Sequence, residues 1–278
     1  MNKLNKTLLI GGVSLAVLVP VTMVLASDGM PGNGRGNGQN CNSSQQMQQR
    51  HANDGGAWNG SPTGRMGNGS SMGKGSGMGN GSGRGAEMMS GSISSLQTQI
   101  DAMPKATLTA DERAGLLRMR EEEKLAHDVY VALDAKWDLQ VFANIAAAEQ
   151  THIDAVTLLL DRYGIADPAA GSAAGTFTNP EFQALYTSLV QQGSTSLVSA
   201  LTVGATIEDL DLADLQARTT TTPDIALVYS NLERGSRNHM RAFTMQLTRN
   251  GAGYAPTHLT QAAFDAIIAG DMEHGPLG

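Results

Sequence analysis

Along four stretches of this chain, residues recur at alternating steps of three and four, the spacing that lays side chains on one stripe of a helix. The first stripe is Leu116, Met119, Glu123, Ala126, Tyr130, Leu133 and Trp137, and the second is Phe142, Ile145, Glu149, His152, Val156, Leu159 and Tyr163. The third runs Leu197, Leu201, Gly204, Glu208, Asp211 or Leu212, and Leu215. The fourth runs Ile225, Val228, Leu232, Gly235, His239, Ala242 and Gln246. No stretch alternates convincingly with period two, so the pattern predicts an all-α domain of four long helices joined by short links.

Local signals place the ends. "TADE" at 109–112 is a capping box, in which the Thr109 hydroxyl and the Glu112 carboxylate satisfy each other's free amides. Gly164 and the following "DPAAGSAAG" break the second helix. Asn179 caps a short accessory helix that has Pro180 in its first turn, and Pro223 opens the fourth long helix, which Gly251 closes. Ile93, Leu96, Ile100 and Met103 make a short amphipathic turn ended by Pro104, and a small segment from Thr260 to Ala269 is expected to pack across one end.

Each long stripe is interrupted near its middle by a group that belongs in water: Glu123, then Glu149 with His152, then Glu208, then His239. A single carboxylate on an apolar stripe usually reflects a misjudged register or a buried ion pair. Four interruptions of one chemical kind, one per helix, are harder to assign to register. Buried carboxylates are costly unless paired or metal-bound, and no Lys or Arg on these stripes is close enough in sequence to neutralise them. Carboxylate oxygens with imidazole nitrogens form a donor set suited to iron or manganese. Glu149 and His152, three residues apart, share a helix face and can meet one metal centre.

The rest of the chain limits the setting of this domain. With 278 residues and a net charge of −7, it lacks the basic surface of a nucleic-acid binder. Its one cysteine, Cys41, can form neither an internal disulfide nor a Cys-rich metal site. Residues 1–26 carry Lys3 and Lys6 before an apolar run, which reads as a cleaved secretory signal. The rival is an uncleaved anchor, the one case that would add a membrane partner. Either way the remainder is expected outside the cytoplasm. Residues 27–92 are Gly, Asn, Ser and Met with almost no aliphatic side chains, so a disordered tether is expected, followed by a folded domain over 93–278. "MGNGSS", "MGKGSG" and "MGNGSG" repeat within it, and two readings stay open: a flexible linker, or capture of a soft metal by Met66, Met72, Met78, Met88 and Met89.

The segments "EEEKLAHDVY" (121–130), "AAEQTHIDAVTLLLDRYG" (147–164), "VGATIEDLDLADL" (203–215) and "NLERGSRNHMRAF" (231–243) resemble the ferritin-like superfamily. Within it they are most similar to an uncharacterised bacterial and archaeal domain of unknown function. The resemblance implies a ferritin-like four-helix bundle holding a non-haem centre of iron (or manganese), one or two ions per chain. Such helices place a small residue three positions after the ligand and an aromatic seven after, which selects Glu123, with Ala126 and Tyr130, over Glu122. The implied metal ligands are Glu123, Glu149, His152, Glu208 and His239, with Tyr130 as the catalytic candidate, a hydrogen-bond donor beside the ligands or a radical sink. The family pattern asks for Glu-x-x-His on the fourth helix, but Ser236 stands where that Glu belongs. The set is one carboxylate short, and Asp211 or water is expected to supply the missing oxygen. Ser236 should face the same cavity, with Gly235 leaving space beside it.

Three functions follow as expectations: oxidation of Fe(II) or consumption of peroxide at the centre, non-catalytic metal sequestration, or a metal-free tethered module. Metal ions are the expected partners, and a homodimer stays open. His127, His258 and His274 lie off the stripes and are expected in solvent, and Arg237 and Arg241 are expected to form a solvent-facing basic patch that also pairs with the acidic third-helix segment.

Overall fold

The computed structural model describes residues 93–275. The expected signal segment and the tether with its Met repeat lie outside the described residues. Within them the chain is all-helical, with seven helices and no strand. Helix α1 covers 93–101, α2 is Ala110–Trp137, α3 Gln140–Tyr163, α4 Pro180–Gly193, α5 Leu197–Ala217, α6 Pro223–Arg249 and α7 Gln261–Ala269. None is long and apolar enough to cross a membrane.

The caps follow the local chemistry. The Thr109 hydroxyl accepts from the Glu112 amide at 3.1 Å, while the Glu112 carboxylate accepts from the Thr109 amide at 2.9 Å. Asn179 accepts from Glu181 N at 2.8 Å at the start of α4. Gly164 ends α3 and Gly251 lies just past the end of α6, both at positive φ, where a Cβ would be strained. The tight link between α2 and α3 puts Asp138 in the same left-handed region.

Helix α2 packs on α3 and α5, α6 packs on the same two helices, and α4 lies against α2 and α5. The long stripes therefore face one another, and two apolar zones form along them. Leu116, Met119, Val156, Leu159, Leu215, Val228 and Leu232 build one, joined by Leu96 and Ile100 of α1. Burying each of these side chains contributes about 1.5–3 kcal/mol. Tyr130, Phe142 and Phe243 build the other, with ring centroids 5.2–6.4 Å apart. Gly204 makes room for it, since a Cβ there would fall 2.4 Å from Phe243.

Two expectations need correction. In the second half of α6 the buried apolar positions are Met240, Phe243 and Leu247, whereas Ala242 and Gln246 are only half-buried. A strict step of three and four drifts from the 3.6-residue turn over a helix of 27 residues. Arg237 and Arg241 bond to Glu273 of the C-terminal segment, at 2.6–2.9 Å, rather than to the third long helix. Asn238 completes this clamp by exchanging hydrogen bonds with the Glu273 backbone.

Candidate metal centre

Between the aliphatic and aromatic zones, the interrupting residues of the four stripes come together. Glu123, Glu149, His152, Glu208 and His239 are each at most 7 % exposed. His152 presents Nδ1 to Glu149 Oε2 at 2.8 Å and to Glu123 Oε2 at 3.2 Å. His239 presents Nδ1 to Glu149 Oε1 at 2.9 Å and to Glu208 Oε2 at 3.5 Å. Those oxygens are close enough for ion pairing, but neither is aligned with a His239 N–H for a hydrogen bond. Two groups of potential ligands result, Glu123–Glu149–His152 and Glu149–Glu208–His239, each with its donor atoms within 4.8 Å of one another. Glu149 belongs to both, one oxygen to each histidine.

Small residues and hydrogen bonds shape this pocket. Gly235 sits against the His152 ring, where a Cβ would fall 2.4 Å from Nε2, so only glycine lets α6 pass this close. The Tyr130 hydroxyl donates to Glu208 Oε1 at 2.5 Å and lies 3.3 Å from the Gly204 carbonyl oxygen. It orients one ligand carboxylate and is itself packed against Phe243.

Burial alone should keep every group here neutral. It lifts Glu123 to about 7 despite the attraction of His152, and it raises Glu208 as well. Burial also favours neutral imidazoles, yet Glu149 and Glu208 outweigh it and hold His239 up at about 9, and Glu149 with Glu123 do the same for His152. Glu149, although buried, is held well below the carboxylate range by the two histidines beside it. The Tyr130 phenol is pushed well above its ordinary value by burial and by Glu208. The centre is thus a buried acidic cluster in which the two protonated imidazoles are the nearest cations.

The donor chemistry fits a metal. Three ionised carboxylates against two protonated imidazoles would leave one excess negative charge, and among the described residues no Lys or Arg forms an ion pair with Glu123, Glu149 or Glu208. Glu123 Oε1 and His152 Nε2 have no hydrogen-bond partner.

Asp211 and Ser236 lie apart from both groups. The Ser236 hydroxyl donates to Asp211 Oδ2 at 2.6 Å, so it faces that carboxylate rather than the space before His239. The run of three glutamates on α2 spreads around the helix by about 100° per residue. Glu121 accepts from the Thr178 and Asn179 amides at the start of α4, at 3.1 and 3.0 Å. Glu123 reaches the centre. Glu122, set aside by the stripe, is also buried, with the Asp214 carboxyl beside it and Arg118 at 3.7 Å. Asp209, next to Glu208, is fully buried for another reason: it accepts from the Thr257, His258 and Leu259 amides and so pins the segment before α7. Among the off-stripe histidines, His258 and His274 are exposed, while His127 is partly buried against Asp128 at 2.9 Å.

Residues 112–271 match the family model described as an uncharacterized protein domain, DUF2202. The chain is 50 % identical over 178 residues to the uncharacterized protein MJ0754 of Methanocaldococcus jannaschii, an alignment covering 63 % of this chain and 96 % of that protein. It is also similar to the crystal structure of the hypothetical protein MJ0754 from Methanococcus jannaschii, with a TM-score of 0.60, 50 % identity, and coverage of 62 % of this chain and 99 % of the other. The helices that carry the five clustered residues all fall within or overlap the matched segment, and the chain belongs to the DUF2202 family.

Proposed function

We propose that this protein is an exported ferritin-like four-helix protein whose central cluster binds iron or manganese, one or two ions per chain. The observation that carries this reading is Glu149, buried between two histidines on different helices, with Glu123 and Glu208 flanking it. Glu123, Glu149 and His152 would hold one ion, and Glu149, Glu208 and His239 the other, with Glu149 common to both. When bound, redox-active ions at such a centre supply a means of oxidising Fe(II) or reducing peroxide. The chain's own contributions are separate from that chemistry. Tyr130 holds Glu208 in place and offers a proton donor at its hydroxyl, and the Tyr130–Phe142–Phe243 cluster excludes water on that side. Gly235 fixes the distance between α6 and the His152 ring.

The ion pairs of His152 and His239 favour a second reading, in which protonated imidazoles hold the carboxylates and no metal enters. Elemental analysis of the purified full-length protein, followed by Mn(II) and Fe(II) titration, separates the two. At least one ion bound per chain, with stoichiometry or affinity reduced in both His152→Ala and His239→Ala, supports the metal centre. Absence of binding in the wild type overturns it in favour of the ionic network. Consumption of O₂ or peroxide by the Fe(II)-loaded protein would then distinguish catalysis from sequestration.

A further inference from the structure

A cleft of about 500 Å³ opens where the start of α2 meets the link between α5 and α6. Two donors in its lining lack an acceptor. Tyr229 of α6 is only 6 % exposed and its ring packs in the aliphatic zone, yet its hydroxyl makes no hydrogen bond among the described residues. The Arg218 guanidinium, just past α5, bonds only through Nη2, to Asp214 at 3.1 Å, and its Nε has no partner. The two side chains converge over Gly115 of α2. A Cβ there would lie 3.3 Å from the Tyr229 hydroxyl and 3.4 Å from Arg218 Nη1, so glycine keeps that space open to both donors.

The two carboxylates of the lining are unequally engaged. Glu112 is taken on one oxygen by the Thr109 amide and on the other by the Thr220 and Thr222 hydroxyls. These bonds lower it to about 2, so it is ionised near neutral pH. Asp111 beside it is exposed and forms no hydrogen bond or ion pair among the described residues.

A buried Tyr hydroxyl ordinarily finds a hydrogen-bond partner, so Tyr229 calls for an acceptor brought into the cleft. A guanidinium beside a phenol matches a carboxylate. A plain anion would also meet Asp111 and Glu112, and a plain cation would leave both donors unanswered. We propose that the cleft binds a small zwitterion of the α-amino-acid type, its carboxylate held by Tyr229 and Arg218 over Gly115 and its ammonium by Asp111. The cleft leaves room for a side chain beside Ile225 and Ala217. None of these residues belongs to the two-histidine centre, so the site stands whether or not that centre holds metal.

Calorimetric titration of the full-length protein with each common amino acid, and with acetate and methylammonium as the separate halves, tests this. At least one amino acid should bind with a Kd below ~1 mM, and each half should bind at least about tenfold more weakly. Tyr229→Phe keeps the ring in the core and removes only the donor, and should weaken binding about three- to tenfold. Arg218→Gln should weaken it by about tenfold or more, because a charge-assisted bond is lost. Asp111→Asn should weaken the amino acid but not acetate. Melting temperatures of the three variants check the fold. If no amino acid binds up to ~10 mM, the donors belong to water and the site is overturned. Binding that is unchanged in both Tyr229→Phe and Arg218→Gln overturns it as well. If acetate binds as tightly as the best amino acid and Asp111→Asn alters neither, the zwitterion is overturned in favour of a plain carboxylate.

Discussion

His152 and His239, from different helices, stack with ring centroids 5.5 Å apart and an interplanar angle of 29°, and both turn Nδ1 towards Glu149. One carboxylate therefore holds two imidazoles. Replacing it with Gln leaves both rings, buried and positively charged, without their main anion. Glu149→Gln should destabilise the metal-free protein by on the order of 3 kcal/mol, since breaking a buried pair from one side strands the other partner. Urea denaturation in chelator measures this, and a change within 0.5 kcal/mol, roughly the range of surface substitutions, would show that the rings simply go neutral.

Gly235→Ala would add a Cβ 2.4 Å from His152 Nε2 and 2.6 Å from Cε1. Either the ring or α6 must move, at a cost of about 1–3 kcal/mol. Because the displaced ring belongs to the Glu123–Glu149–His152 group, metal affinity should fall more on that side than on the His239 side. Denaturation together with calorimetric titration reads both effects.

Metal binding should strengthen as pH rises. In the metal-free protein His239 is held at about 9 by Glu149 and Glu208, against burial, so near neutral pH its ring carries a proton that an incoming ion must displace. Affinity on that side should rise by about tenfold per pH unit up to that value and level off above it, because ligand nitrogens must be deprotonated to bind. Mn(II) titrations in buffers of different ionisation enthalpy would count the proton released. An affinity that stays flat across this range would argue against His239 as a ligand.

Acid should weaken the end of the molecule where α2 begins. Glu112 accepts from the Thr220 hydroxyl, the Thr109 amide and the Thr222 hydroxyl, which lower it from 4.5 to about 2. Its folded value lies below its unfolded one, so its stabilising contribution is fully present above 4.5 and is lost as pH falls towards 2. Glu112→Gln should therefore lower stability at neutral pH and flatten its decline in acid. Melting temperatures measured across that window for both proteins give the comparison.

Removal of residues 1–92 should leave helix content and cooperative melting of the domain nearly unchanged. Removal of residues 1–108 should not, because Leu96 and Ile100 are fully buried in the aliphatic zone. Their loss costs about 1.5–3 kcal/mol each. Circular dichroism melts of the two truncated chains decide where the domain starts.

Much of this architecture is legible in the residue pattern. The step of three and four identifies four long helices and, apart from the second half of α6, the face each one buries, because a single helix determines the angle between its own residues. The same arithmetic places Glu123, Glu149, His152, Glu208 and His239 on buried faces, where an ionisable group needs a partner. Capping residues such as Thr109, Asn179 and Gly164 act on neighbouring amides, so they too can be read locally.

Periodicity is silent on how one helix is rotated and shifted against the next, and those choices belong to tertiary packing. Only the packed helices show that Glu149 lies between two histidines, because the height of α6 against α3 depends on Gly235 meeting the His152 ring. Asp211 was expected to stand in for the carboxylate that Ser236 replaces. In the structure the Ser236 hydroxyl donates to Asp211 Oδ2, and the other Asp211 oxygen is buried without a hydrogen-bond partner. Glu122 sits off the stripe of α2, yet a third neighbour, α5, covers it as well. A hydrophobic pattern shows that a position is buried, but the group facing it across the interface is decided only when several helices close together.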